Sequence, residues 1–209
     1  MATELADRLE RHALWLESRG KKGARLSMED ADLSARELST EDLTEAELPG
    51  TRFDGSDLSM AKLHGANLAS ASFVKANLSG AQMTKANLDY ASLKNANLSG
   101  ANALRASFYE TDLQGADLSG ADLHGAYLVN ANLESANLES ANLRGAQLGG
   151  ATFQGANLTG ADLSGADLSG ASGLAAVQAS WLMQGPEKAP IRLEGEALRS
   201  WLETAGTSK

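Results

Sequence analysis

The chain has 209 residues, with 18 Lys and Arg against 27 Asp and Glu, a formal net charge of −9. The absence of Cys excludes both a disulfide framework and a thiolate metal site, and the acidic balance argues against direct binding of nucleic acid. No apolar run approaches the roughly 18 residues of a membrane span, and the charged first twenty residues lack the apolar stretch of a secretory signal, so a cytoplasmic protein without a membrane partner is expected.

Residues 1–25 read as a capping helix and lead-in. Over residues 3–19, Leu5, Leu9, Trp15 and Leu16 stand among charges at helical spacing, and Gly20 supplies the C-terminal stop. An open end of a repeat array exposes core and unpaired strand edges, so this helix is expected to lie over the first coil.

Residues 26–173 are dominated by a five-residue period that runs in register from Ala31 to Gly170. The third position is Leu in 22 of 28 repeats and Phe at 53, 73, 108 and 153, with Met83 and Ala103 as the remaining departures; the first position is Ala in 23 of 28. A period of five fits neither an amphipathic helix nor a flat strand. Four pentapeptides per square turn place residues twenty apart above one another, which predicts an all-β parallel solenoid of about seven coils, roughly 34 Å long at about 4.8 Å per coil. The fifth position is Gly in 14 of 28 repeats, suited to the positive φ of a type II turn. Repeats carrying Lys75, Lys85, Tyr90, Arg105 or Glu110 there are expected to use type I-like turns, leaving the backbone more uniform from Gly115 onward.

After Leu168 the repeat decays. The segment 174–209 is read as an apolar stretch, a loop marked by Pro186 and Pro190, and a second short helix over Leu193–Ala205. Its apolar residues Val177, Trp181, Leu182, Met183, Leu198, Trp201 and Leu202 serve either as a cap or as a homodimer contact.

The charge is uneven. Residues 31–173 hold 17 acidic and eight basic side chains, so the whole −9 lies on the rod. Nine charges over roughly 34 Å give about one per 3.8 Å, against one per about 1.7 Å in duplex DNA; mimicry of DNA would be partial. Asp57, Asp112, Asp117, Asp122, Glu134 and Glu139 are read as an acidic partner-binding face. The stacked Asn77, Asn97, Asn137 and Asn157 are read as structural ladders. Lys62, His64, Lys85, Arg105, His124 and Arg144 form a mildly basic stripe, and Tyr90, Tyr109 and Tyr127 a contact patch. Ala103 breaks the central position, so coil 91–110 is expected to be the most distorted, with Phe108 filling part of the gap or Leu104 swinging inward.

Nothing points to catalysis. His12, His64 and His124 share no metal-ligand spacing, the carboxylates point outward from a convex surface, and there is no phosphate loop or nucleophile elbow. The expectation is a non-enzyme without metal or cofactor.

Ala116-Asp117-Leu118-Ser119-Gly120 and Ala136-Asn137-Leu138-Glu139-Ser140 resemble the motif of the pentapeptide-repeat family, Ala-Asp/Asn-Leu-X-X with the central residue buried. The resemblance covers about two-thirds of the chain. It implies a right-handed quadrilateral parallel β-helix with short N- and C-terminal helices. It also implies a non-catalytic DNA mimic that binds DNA gyrase or a related type II topoisomerase, dimerises through the C-terminal end and acts in resistance to topoisomerase poisons. An interaction scaffold with another partner is the alternative. The sequence departs from the plasmid-type quinolone-resistance members, whose coils carry projecting loops, because its register has no insertion.

Overall fold

The computed structural model describes residues 2–206; Met1 and Thr207–Lys209, the outermost residues of the terminal segments, lie outside the described residues. Helix α1 (Ala2–Glu17) comes first. It rests Leu5 and Leu9 on the core, and the Arg11 carbonyl accepts from the Ala24 N–H at 3.0 Å. The chain reverses so closely at Gly23 that a Cβ there would lie 2.1 Å from the Arg11 oxygen, and its φ is +70°. Only glycine fits.

From Ser27 the chain is a parallel solenoid. Bridges join residues twenty apart from Ser27↔Glu47 to Thr152↔Ser172, and each side makes a pair of inter-coil backbone hydrogen bonds, as in Leu33 N–H to Arg52 O and Arg52 N–H to Ala31 O, both 2.8 Å. The Leu, Phe and Ala of the repeat form one continuous buried column. Phe53 and Phe73 stack with centroids 4.9 Å apart and planes 6° from parallel, matching the strand-to-strand rise. Where Thr or Ser replaces the inward Ala, its hydroxyl finds a carbonyl of an earlier coil: Ser56 Oγ donates to Leu33 O at 2.6 Å and Thr111 Oγ1 to Leu88 O at 2.7 Å. The buried polar group is satisfied without leaving the core.

The turns correct one expectation. Lys75, Lys85, Tyr90, Arg105 and Glu110 have φ of 58°, 59°, 62°, 53° and 51°, the same left-handed region as Gly100 at 63° and Gly120 at 63°. They do not use type I-like turns, and the rod is no more uniform after Gly115 than before it. The inter-coil bonds on both flanks of each corner dictate the backbone there, and the residue accepts the cost of about 1–2 kcal/mol that the left-handed region imposes on a side chain.

Ala103 corrects a second. Its N–H bonds Asp122 O at 2.8 Å, the Ala106 N–H closes the corner to Ala103 O at 3.0 Å, and the Arg105 φ is ordinary for this rod. The corner is regular, and Leu104 stays outside the core.

The C-terminal end departs more. Parallel pairing does not stop at the last regular repeat: Asn157↔Gln178 and Asp162↔Met183 continue it with an offset of twenty-one. The extra residue is absorbed in a 3-10 turn, Leu174–Ala176, after Gly173, where a Cβ would sit 2.5 Å from the Gln154 nitrogen. Strand β1 (Trp181–Gln184) then pairs antiparallel with β2 (Ile191–Glu194), in register Leu182↔Leu193 and Met183↔Arg192. Helix α2 (Gly195–Thr204) follows, so the second helix begins later than expected. Ile191 and Leu193 serve a hairpin first.

Candidate protein-binding faces

Twenty-residue stacking divides the surface into four ladders. They are named here by an early member of each: Asp32, Glu37, Asp42 and Glu47. The six acidic residues read from the sequence as one face do not share one. Asp57 and Asp117 stand on the Glu37 ladder, Asp112 on the Asp32 ladder and Asp122 on the Asp42 ladder; Glu134 and Glu139 occupy turns after the first two of these. The physical reason is the period itself, since a step of five residues is a quarter turn of the rod.

Each of these aspartates spends one oxygen on the fold. Asp57 Oδ1 accepts from the Ser59 N–H and from Asn77 Nδ2, both at 2.9 Å. The Ser59 amide, with its hydroxyl and the Asn77 amide, holds the Asp57 carboxyl below its ordinary range. Asp117 Oδ1 accepts from Ser119 N–H and Asn137 Nδ2 at 3.0 Å each. Asp122 accepts from Asn142 at 2.8 Å. Asp112 accepts from Asn132 at 3.2 Å, while its second oxygen pairs with Lys94 Nζ at 2.9 Å. The asparagine ladders are present as read: Asn97 Nδ2 donates to Asn77 at 3.3 Å and Asn157 Nδ2 to Asn137 at 3.1 Å.

The basic stripe is largely engaged within the chain. Lys62 pairs with Asp42 at 3.1 Å and Arg144 with Asp162 at 3.3 Å. Arg144 also donates to the Glu187 carbonyl, and His124 Nε2 lies 4.0 Å from Glu187 Oε1. The loop between β1 and β2 therefore lies over the C-terminal part of this stripe.

The tyrosines do come together. Tyr90 meets Tyr109 edge to face at 5.4 Å, and Tyr109 stacks on Tyr127 at 5.9 Å and 29°. They descend through three coils at spacings of nineteen and eighteen, one repeat position back at the first step and two at the second. Asp89 Oδ1 accepts from the Tyr109 N–H at 3.0 Å and from the Ser107 hydroxyl. A hydrogen bond to Glu110 and its negative charge push the Tyr109 phenol above its ordinary pKa, so the ring stays neutral near pH 7. Asp89 and Glu110 do not stand out in the sequence as part of this patch; Glu110 adjoins Tyr109 in the chain, while the contact of Asp89 with Tyr109 follows only from the twenty-residue stacking.

At the C-terminal end, Leu182 and Leu198 are buried within the chain. They are corrected from contact residues to core, because α2 folds back over the last coil. Val177, Trp181, Met183, Trp201 and Leu202 remain partly exposed, and Arg192 stacks over the Trp181 ring at 4.4 Å. At the other end, His12, which has no metal-ligand spacing in the sequence, serves the cap. It is fully buried, and its Nδ1 accepts from the Leu26 N–H at 3.0 Å. Burial lowers its pKa, against the raising effect of Asp42. Among the described residues no His, Asp and Glu cluster could hold a metal ion, and no helix is long and apolar enough to cross a membrane.

Comparison with curated protein sequences returned no match. Among solved structures, two trypsin-treated variants of QnrB1, a plasmid-mediated fluoroquinolone resistance protein, are each 25% identical to this chain. One has a TM-score of 0.58 over 75% of this chain and 79% of that one; the other has 0.51 over 74% and 77%. A pentapeptide repeat protein from the Arabidopsis thaliana thylakoid lumen is 45% identical over 42% of this chain and 61% of its own, with a TM-score of 0.41. The model for pentapeptide repeats matches in overlapping blocks from 61–100 to 136–172, eight copies in all and more than half of the chain. With its four-sided coils and inward Leu and Ala columns, this chain belongs to the pentapeptide-repeat family of right-handed quadrilateral β-helices.

Proposed function

We propose that this protein is a non-catalytic, cytoplasmic DNA mimic that binds DNA gyrase or a related type II topoisomerase and alters the response to topoisomerase poisons. The observation that carries the reading is the structural likeness to QnrB1, a fluoroquinolone resistance protein, across three quarters of the chain. The confinement of the −9 net charge to the rod supports it. The second oxygens of Asp57, Asp117 and Asp122, with Glu134 and Glu139, stand in for phosphates. The rod has no projecting loop, since every corner from 30 to 170 keeps the same backbone sign, so contact is made by the coils themselves. Two copies join through the C-terminal end, using the partly exposed Trp181, Met183, Trp201 and Leu202 beside Val177; sedimentation of the purified protein reads this directly.

The functional test is gyrase supercoiling and fluoroquinolone-stabilised DNA cleavage with and without micromolar protein. A change in either supports the reading. If both are unaffected, the topoisomerase assignment fails. The tyrosine cluster favours a second reading, an interaction scaffold with another protein partner.

A further inference from the structure

The four faces differ in one respect that their shared backbone does not require. The repeats of the Glu47 face, 46–50 to 166–170 at intervals of twenty, contain Glu47, Asp89, Glu110 and Asp167 and no Lys, Arg or His. Each of the other three faces carries at least one Lys or Arg in its own repeats. All three tyrosines of the protein also belong to this face and its trailing corner. Tyr90 is 57% exposed although it sits at φ 62°, where glycine would relieve strain. The rod thus holds a bulky aromatic ring in water at a position where its own turn chemistry favours Gly.

We infer that the corner formed by Tyr90, Tyr109 and Tyr127, flanked by Asp89 and Glu110, is a docking site for arginine side chains of a protein partner. A guanidinium plane stacks on an aromatic face and presents a fork of donors to a neighbouring carboxylate; an ammonium group does neither as well. Edge-to-face and stacked rings at 5.4 and 5.9 Å offer π surface in two orientations. Asp89 is held in place by the Tyr109 amide, and its second oxygen is not used by that bond. Stacking with nucleic acid bases is disfavoured by the same carboxylates, which repel phosphate. This inference goes beyond the topoisomerase reading and stands without it.

Because there are only three tyrosines, tyrosine-selective 13C labelling of the full chain reports on this corner alone. The probes are an acetylated Gly-Arg repeat peptide, a Gly-Lys peptide of equal length, and oligothymidylate. The expected result is movement of all three ring resonances with the arginine peptide and an affinity at least about fivefold higher than for the lysine peptide. The variant Tyr90→Gly/Tyr109→Ser/Tyr127→Gln uses residues the rod already places in these roles, at Gly100, Ser119 and Gln147, so it keeps the fold. Measured by calorimetry, it should bind both peptides equally weakly. Asp117→Asn, on the Glu37 face, should leave the arginine preference intact. Equal affinity for the two peptides, unmoved tyrosine resonances, a preference that survives the triple variant, or ring shifts with oligothymidylate instead of peptide would each overturn the assignment.

Discussion

Ala103 and Phe108 give the sharpest test of how this rod is packed. They are consecutive central residues of one coil, with side chains 1% and 0% exposed. Phe53, Phe73 and Phe153 share the column behind the Asp32 face, whereas Phe108 lies alone behind the Glu47 face, in the same coil as the only Ala at a central position. Relative to Leu, Ala removes about three carbons and Phe adds about three, so the coil keeps the core content of two leucines. The regular corner at Ala103 is what such compensation produces. Phe108→Leu alone should cost about 2–3 kcal/mol, at about 0.8 kcal/mol per buried methylene with a cavity left behind. Ala103→Leu alone should cost about 1–3 kcal/mol by overpacking against Phe108. The double variant restores the consensus pair and should return to within about 1 kcal/mol of the parent, a coupling of at least about 2 kcal/mol. Guanidinium unfolding followed by far-UV circular dichroism measures all four corners of the cycle, compared at constant m-value. Costs that simply add in the double variant would refute compensation. So would stabilisation by Ala103→Leu alone, which would mean that the site is an empty cavity.

Three further outcomes follow from other sites. His12 is neutral and accepts from Leu26, and burial lowers its folded pKa while Asp42 and Glu45 oppose and Arg25 adds to that shift. The unfolded state therefore binds the proton more readily, so cap stability is full above about pH 6.5 and falls as pH drops below it; the protection of the Ala24 and Leu26 amides relative to their intrinsic exchange should fall from pH 7.5 to 5.5, and His12→Gln should flatten that profile. Gly120→Ala meets no atom within 4 Å, so only its φ of 63° is penalised, by about 1 kcal/mol; Ala35→Gly, at φ 52°, should stabilise by a similar amount, and thermal melts that show no difference would remove the backbone argument. Asp117→Asn keeps the Oδ1 acceptor of Ser119 and Asn137 and should leave stability nearly unchanged while weakening gyrase binding, whereas Asp117→Ala should cost about 1 kcal/mol as well; equal gyrase binding by parent and Asp117→Asn would remove that carboxylate from the mimicry.

The core of the fold was legible because a period of five admits few closures, and the buried Leu, Phe and Ala fall where the sequence places them. The turns were misread because Lys75 or Tyr90 looks unsuited to positive φ in isolation, while bonds from two neighbouring coils fix the backbone regardless of the residue between them. The hairpin was hidden for a different reason. Ile191 and Leu193 form too short an alternation to separate from the start of α2, and the insertion that keeps β1 in parallel register is a single residue within Leu174–Ala176. At the surface, residues five apart look like neighbours in the sequence and stand on different faces of the rod, which dispersed the supposed acidic face and assembled the tyrosine corner instead.

The ladders also explain where the acid can go. In every side-chain rung between stacked Asn and Asp or Glu, the amide nitrogen belongs to the later coil and the accepting oxygen to the earlier one, from Asn67 on Glu47 to Asn157 on Asn137. A carboxylate has no proton to donate, so it can only begin a run. Asp57 heads Asn77 and Asn97; Asp112, Asp117 and Asp122 head Asn132, Asn137 and Asn142. The last three are successive sides of one coil, so the rule arranges them as a band around the rod and not as a line along it. With Asp112 paired to Lys94, a partner surface that meets a single face encounters at most one unpaired charge of this band, while a saddle that grips the rod from adjoining sides encounters both Asp117 and Asp122. The same stacking chemistry that holds the coils together thus favours an embracing partner for the girdle of aspartates and leaves the tyrosine corner of the Glu47 face to a partner that approaches from one side.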